Sequence, residues 1–108
     1  MPEGKKDDSQ KIRVDLLPVS ALLGRASVLT FGARKYGDRN WENGIAWSRC
    51  YGAALRHLYA WWDGQDLDEE TGLSHLCHAA AEIDFLIEFA STHRELDDRP
   101  RCSTSSTG

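Results

Sequence analysis

From about residue 13 to residue 96 the apolar positions recur with the period of an α-helix, and no stretch shows the two-residue alternation of a half-buried strand. A first helix is expected from Pro18 to Tyr36. Proline is tolerated in a first turn, Gly37 supplies a stop, and Leu22, Ala26, Leu29 and Ala33 recur at spacings of three and four. Residues 37–47 (GDRNWENGIAW) read as a loop in which Trp41 and Trp47 look exposed. Ser48 is the expected N-cap of a second helix that ends at Asp63, before Gly64. Its core face should be Tyr51, Ala54, Leu55, Leu58, Trp61 and Trp62, which lie within about 120° at 100° per residue. Arg49, Arg56 and Asp63 share the opposite side.

An acidic turn (GQDLDEET) leads to a third helix from Gly72 to Arg94, with Thr71 as its expected cap. Leu76, Ala80, Ile83, Ile87 and Ala90 make one apolar stripe about 80° wide. His75, His78, Ala79, Glu82, Phe85, Leu86 and Phe89 make a second face about 120° away. Ser74, Cys77, Ala81, Asp84, Glu88 and Ser91 are left for water. A helix covered on two sides, in a chain with two other helices, predicts that another subunit supplies the second cover. The expected fold is all-α: a small helical bundle of three main helices completed by oligomerisation. Residues 1–12 read as a mobile arm and residues 97–108 as a disordered tail, on charge and polar composition.

Composition narrows the classes. At 108 residues the chain is one domain's worth, and 41% hydrophobic with 28% charged residues is ordinary for a globular protein. No apolar run reaches the roughly 18–20 residues of a membrane span. The first twenty residues lack the apolar core of a signal peptide. A net charge of −4 argues against an electrostatic nucleic-acid binder. Cys50, Cys77 and Cys102 form no CxxC pair, so reduced thiols in a cytoplasm are expected, with Cys50 and Cys77 as packing residues.

Two clusters could carry chemistry. Asp66, Asp68, Glu69 and Glu70 precede a helix on which His75 and His78 share a side at i and i+3, with Glu82 on that side at i+7. Carboxylate oxygens suit Mg²⁺ and Mn²⁺, and imidazole suits Mn²⁺ or Zn²⁺. The plainer alternative is that the acids complement a helix N-terminus and the histidines have ordinary polar partners. The second cluster is Arg34, Lys35, Arg39, Asn40 and Trp41, joined later by Arg56 and His57. Cations beside an amide and an indole suit a nucleotide, with charge for phosphates and a flat face for a base. A solvated helix end with a structural tryptophan is the alternative. No glycine-rich phosphate loop, Ser-His-Asp triad or Cys-His pair is present, and His93 reads as a surface residue.

The stretches FGARKYGDRNWENG (31–44) and LRHLYAWWDGQDLDEETGLSHLCHA (55–79), with the leucine pair near Leu16, resemble the phage dATP/dGTP diphosphohydrolases of the MazZ-like type. These belong to the MazG-like all-α nucleoside triphosphate pyrophosphatases. The resemblance covers about residues 13–90, and its motifs FGA-x-KYG, NW-x-x-G and RH…D-x-E-[ST]-G-L-x-H-x-x-H are specific only in combination. It implies a homodimer or homotetramer that uses Mg²⁺ or Mn²⁺. The implied reaction is hydrolysis of a purine deoxynucleoside triphosphate, dGTP first and dATP second, to the monophosphate and pyrophosphate. A metal-bound water would attack the α-phosphorus. Carried onto matching positions, Asp68 and Glu70 are the expected catalytic pair, with Asp68, Glu70, His75 and His78 on metal. Lys35, Arg56 and His57 would face phosphates, and Asn40 and Trp41 sugar or base. MazG relatives hold metal with E-x-x-E and E-x-x-D pairs, which have no counterpart on the second and third helices here. Gln65-x-x-Asp68 and His75-x-x-His78 are the nearest equivalents. Two other readings are a non-catalytic helical oligomerisation or nucleotide-binding module, and a zinc hydrolase using the histidines with Asp68.

Overall fold

The computed structural model describes residues 3–101, so Cys102 and the rest of the expected tail lie outside the described residues. Three helices make up the domain: α1 (Val19–Tyr36), α2 (Trp47–Trp62) and α3 (His75–Thr92). Single 3₁₀ turns at Val14–Leu16, Asn40–Asn43 and Arg94–Leu96 punctuate them, and no strand occurs among the described residues. The fold is all-α. None of these helices is long and apolar enough to cross a membrane.

The helices form close to where the 3.6-residue period places them, but their ends and rotations differ in informative ways. Gly37 closes α1 with φ +97°, a conformation that costs a side chain strain, and its N–H donates to the Ala33 carbonyl at 2.8 Å. α2 begins at Trp47, one residue before the expected cap. Ser48 does not cap with its own side chain. Instead the Asp98 carboxylate accepts from the Ser48 N–H at 2.8 Å and from its hydroxyl, satisfying a donor that the helix start leaves open. Trp47 is buried rather than exposed, and the Arg94 and Arg99 guanidiniums lie over its ring at 5.6 and 4.9 Å. Asp98 and Arg99, which composition alone assigns to the tail, thus contact the start of α2.

α2 turns Trp47, Cys50 and Ala54 inward, not the aromatic stripe read from the sequence. The small Cys50 and Ala54 side chains let α3 approach, whereas Tyr51, Tyr59 and Trp62 find no covering element among the described residues, Trp62 being 82% exposed. Trp47 and Cys50 join Phe85 and Phe89 of α3 in the buried core, with Leu29, Trp41, Ile45, Leu86 and Leu96 packed around them. Trp41 is half-buried, stacked on Phe85 with centroids 5.1 Å apart.

α3 is capped by Ser74, whose hydroxyl accepts from the Leu76 N–H at 3.1 Å; Thr71 is used elsewhere. The face with Cys77, Ala81 and Asp84, expected to meet water, is where α1 packs. Ala81 is fully buried, and Arg25 donates to Asp84 at 2.7 Å. A side chain on Gly24 would collide with the Cys77 sulfur, so glycine permits this close crossing. Leu76, Ile83 and Ile87 remain exposed by contrast, Ile87 at 68%. His93, expected at the surface, bridges two segments. Its Nε2 donates to the Glu42 carbonyl at 2.7 Å, its Nδ1 meets the Glu95 carboxylate at 2.9 Å, and its ring packs edge-on against Phe89.

Two outcomes follow for stability. Phe89→Ala should cost about 3–5 kcal/mol in urea unfolding, because a fully buried ring leaves a cavity, while Trp62→Ala should stay within about 0.5 kcal/mol for folding of the chain. The Glu95 carboxylate, and then the Glu42 carbonyl, hold the His93 pKa above its ordinary 6.5. A raised folded value means the stabilisation is full below the unfolded value and fades as pH climbs through the folded one. The gap in Tm between the wild type and His93→Gln should thus be widest below pH 6.5 and shrink at alkaline pH.

Candidate functional site

α2 and α3 run antiparallel, so the end of one helix meets the start of the other. His57, in the last turns of α2, is brought against His75 and His78 in the first turn of α3. His57 stacks nearly parallel on His78, centroids 4.5 Å apart, and its Nδ1 lies 2.9 Å from Nδ1 of His75. Those two nitrogens share at most one proton. His75 is buried, and its Nε2 has no hydrogen-bond partner.

The segment between α2 and α3 is a closed turn rather than a loose acidic loop. Asp68 N–H donates to the Leu73 carbonyl at 2.8 Å, Gly72 N–H to the Asp68 carbonyl at 2.7 Å, and His75 N–H to the Asp66 carbonyl at 3.0 Å. This frame points the Asp68 carboxylate at the histidines. Thr71 anchors it: the Thr71 N–H donates to Asp68 Oδ2 at 2.9 Å, and the hydroxyl lies 3.1 Å from the same oxygen. The Thr71 oxygen also meets Nε2 of His78 at 2.7 Å and accepts from the Leu73 N–H at 3.1 Å. An ionised carboxylate only accepts, so the hydroxyl proton goes to Asp68. His78 must then donate from Nε2, leaving its Nδ1 lone pair free.

The electrostatics agree. Burial, followed by the neighbouring imidazole of His78, depresses the His57 pKa, and burial depresses that of His78. Both rings therefore favour the neutral form, the one that can ligate. Burial pushes the Asp68 carboxyl up, but the Thr71 donors and the nearby imidazoles outweigh it and hold Asp68 below the usual carboxylate value. One donor atom each from His57, Asp68 and His75 lie within 4.8 Å of one another. Two imidazoles and one ionised carboxylate are a donor set for a divalent ion, best suited to Mn²⁺ or Zn²⁺.

His57 and Asp68 line a cleft of about 1040 Å³ formed by α1, the loop after it, α2, the turn before α3 and α3 itself, while the buried His75 adjoins them without lining it. Lys35, Asn40, Trp41, His57, Asp68, Glu70 and His78 all line it. The grouping differs in detail from the sequence expectation. His57, expected on phosphates, joins the ligand-competent trio. Glu70 stands at the rim paired with Lys35 at 3.4 Å, and His78 is engaged by Thr71. Arg56 is exposed in an adjoining groove, where Arg49 and Glu82 also lie; those two line the main cleft as well. Arg49 and Thr71 were missed. The Asp68-x-x-Thr71 spacing carried a signal, since such residues bond locally to each other's backbone. Arg49 became visible only with the pairing of α2 and α3. Cys50 is fully buried, and burial together with Glu82 pushes its thiol up to about 12, which makes it a packing residue and no nucleophile.

Residues 1–99 match the family described as dATP/dGTP diphosphohydrolase, N-terminal. A protein of Salmonella phage PMBT28 named dATP/dGTP diphosphohydrolase is 34% identical over 96 residues, which are 89% of this chain and 33% of that protein. The chain thus spans about a third of the length of that relative. No solved structure shows significant similarity to it. With a family match over nearly its whole length, the chain belongs to the family of dATP/dGTP diphosphohydrolase N-terminal domains.

Proposed function

We propose that the chain hydrolyses a purine deoxynucleoside triphosphate, dGTP or dATP, to the monophosphate and pyrophosphate, with Mg²⁺ or Mn²⁺. The observation that carries this reading is the meeting of His57 and Asp68 with the buried His75 at a cleft that Lys35 and the Trp41 indole also line. Family membership and the name of the phage relative support it.

His57, Asp68 and His75 would hold the cation, and this donor set favours Mn²⁺ over the strictly oxygen-seeking Mg²⁺. Bound there, it would supply a Lewis acid that neutralises charge developing on the phosphoryl oxygens. The chain's own groups do the rest. Lys35 is half-exposed and free to swing from Glu70 to the triphosphate, where an ammonium is a strong partner for phosphate oxygens. That exchange releases the Glu70 carboxylate at the rim to accept a proton from the attacking water. Water adds to the α-phosphorus, the bond from that phosphorus to the bridging oxygen breaks, and pyrophosphate leaves beside Lys35. Thr71 keeps Asp68 and His78 in register throughout, and Trp41 offers the base a flat face.

Pyrophosphate release from dGTP, dATP and dCTP, measured with Mg²⁺, Mn²⁺ or neither, tests the reading. Purine-selective, metal-dependent release is expected, and Asp68→Asn or His75→Ala should lower turnover about a hundredfold or more with helix content intact. Release from no nucleotide would leave a non-catalytic module. Two imidazoles with one carboxylate also suit zinc, so zinc retained through purification would favour the zinc hydrolase.

The exposed Leu76, Ile83 and Ile87 stripe supports a homodimer or homotetramer as the working form, since an apolar row of this kind is normally covered. Light scattering should give a multiple of the 12.1 kDa chain mass, and Ile83→Glu with Ile87→Glu should return it to one chain. A wild-type particle of chain mass at micromolar concentration would rule the oligomer out.

A further inference from the structure

α3 lays a polarity gradient along the cleft. His78, Glu82 and Phe85 follow each other at spacings of four and three, and all three line the cavity. At a rise of 1.5 Å per residue, Glu82 lies about 6 Å beyond His78 and about 10 Å beyond His75 along the helix axis. The end with the histidines and Asp68 suits phosphate. Further along α3 the wall is Trp41 and Phe85, stacked at 5.1 Å. Into that apolar end Glu82 brings a half-buried carboxyl group, while Arg49 lines the same cavity.

We infer that Glu82 is the base-reading residue of the cleft and selects guanine. Resting on the hydrolase reading, it assigns that site its base specificity. A nucleotide whose phosphates sit at the histidine end lays its sugar along the next turn and its base against Trp41. The Watson–Crick edge of guanine then offers two parallel donors, N1–H and the 2-amino group, to a group that only accepts. Adenine offers one donor and one acceptor on the same edge, so one carboxylate oxygen would face a lone pair. Arg49 is placed to donate to the guanine O6. Discrimination is strong when the wrong base leaves a partly buried polar group unpaired.

The surroundings of Glu82 agree with a role beyond packing. Burial raises its pKa above the usual carboxylate value, and the Cys50 thiol and the charge of Arg56 offset that only in part. Guanine would bring this carboxyl two donors.

The test uses binding of monophosphates, so that it does not depend on turnover. Calorimetric titration of the full chain with dGMP, dIMP and dAMP should give affinities in that order, with dAMP at least about tenfold weaker than dGMP. Hypoxanthine lacks the 2-amino group, so dIMP removes one of the two bonds without altering the protein. Glu82→Gln, which presents a donor and an acceptor, should lower the dGMP-to-dAMP preference by about tenfold or more. Equal affinity for dGMP and dIMP, an unchanged preference in Glu82→Gln, or no binding of any of the three would overturn the assignment. If Glu82→Gln fails to fold, the comparison of dGMP with dIMP on the unaltered chain decides. Pyrophosphate release measured on the same samples keeps the two readings apart. Hydrolysis with an unchanged preference defeats the role of Glu82 alone, whereas Glu82-dependent binding without hydrolysis defeats the hydrolase alone.

Discussion

Everything at the site depends on the antiparallel contact of α2 with α3. Cys50, Ala54 and Ala79 are small and buried at that seam, so the two backbones approach closely. The cost of such closeness falls where the seam carries polar groups. At its end, two imidazole nitrogens lie 2.9 Å apart, and the buried His75 keeps one nitrogen without a partner. Burying polar groups that are not fully satisfied opposes folding by a few kcal/mol each. An arrangement of this kind persists when the rest of the core over-determines it. The Trp47, Cys50, Phe85 and Phe89 cluster, at the opposite end of the same seam, is well placed to supply that excess.

The turn of residues 66–74 shows how the chain converts a loop into a fixed part. Its backbone bonds close on themselves, and the Thr71 side chain joins Asp68 to His78. Asp68 is therefore held from two sides, by local donors and by imidazoles delivered from two helices. A carboxylate held that way stays ionised in a half-buried position, which is what a cation ligand requires. Four glycines with positive φ mark the ends of such tight segments, among them Gly72 in this turn.

The helices were legible from the sequence because a 3.6-residue period survives without tertiary information. Their rotations were less so. α2 carries aromatics around much of its circumference, and angular arithmetic favoured the stripe with Trp61 and Trp62 over the narrower Trp47, Cys50 and Ala54 face. Which stripe wins depends on what covers it, and small residues that admit a neighbouring backbone outweigh larger ones that hold it off. The same blindness put Ala81 in water, although Gly24 on α1 creates the space that buries it. At the site, His75 and His78 could be placed on one side of a helix by spacing alone. That His57 would complete a trio with Asp68 and His75 is a long-range fact, set by the register of α2 on α3. Arg49 entered the cleft and Arg56 left it for the same reason.

A single helix that carries both the phosphate end and the base end of a cleft has a consequence for selectivity. On the reading proposed above, the rise per residue would fix the distance between the groups that meet the triphosphate and the group that meets the base, and helix stiffness would keep it fixed. On that reading a nucleotide would have to match both positions on α3 at once, since the helix itself does not flex to absorb a mismatch. Glu82 lies outside the turn that holds Asp68, although its carboxyl meets the Cys50 thiol of the core. His75 differs: it is buried in the seam itself, so its replacement disturbs the contact on which the helices depend.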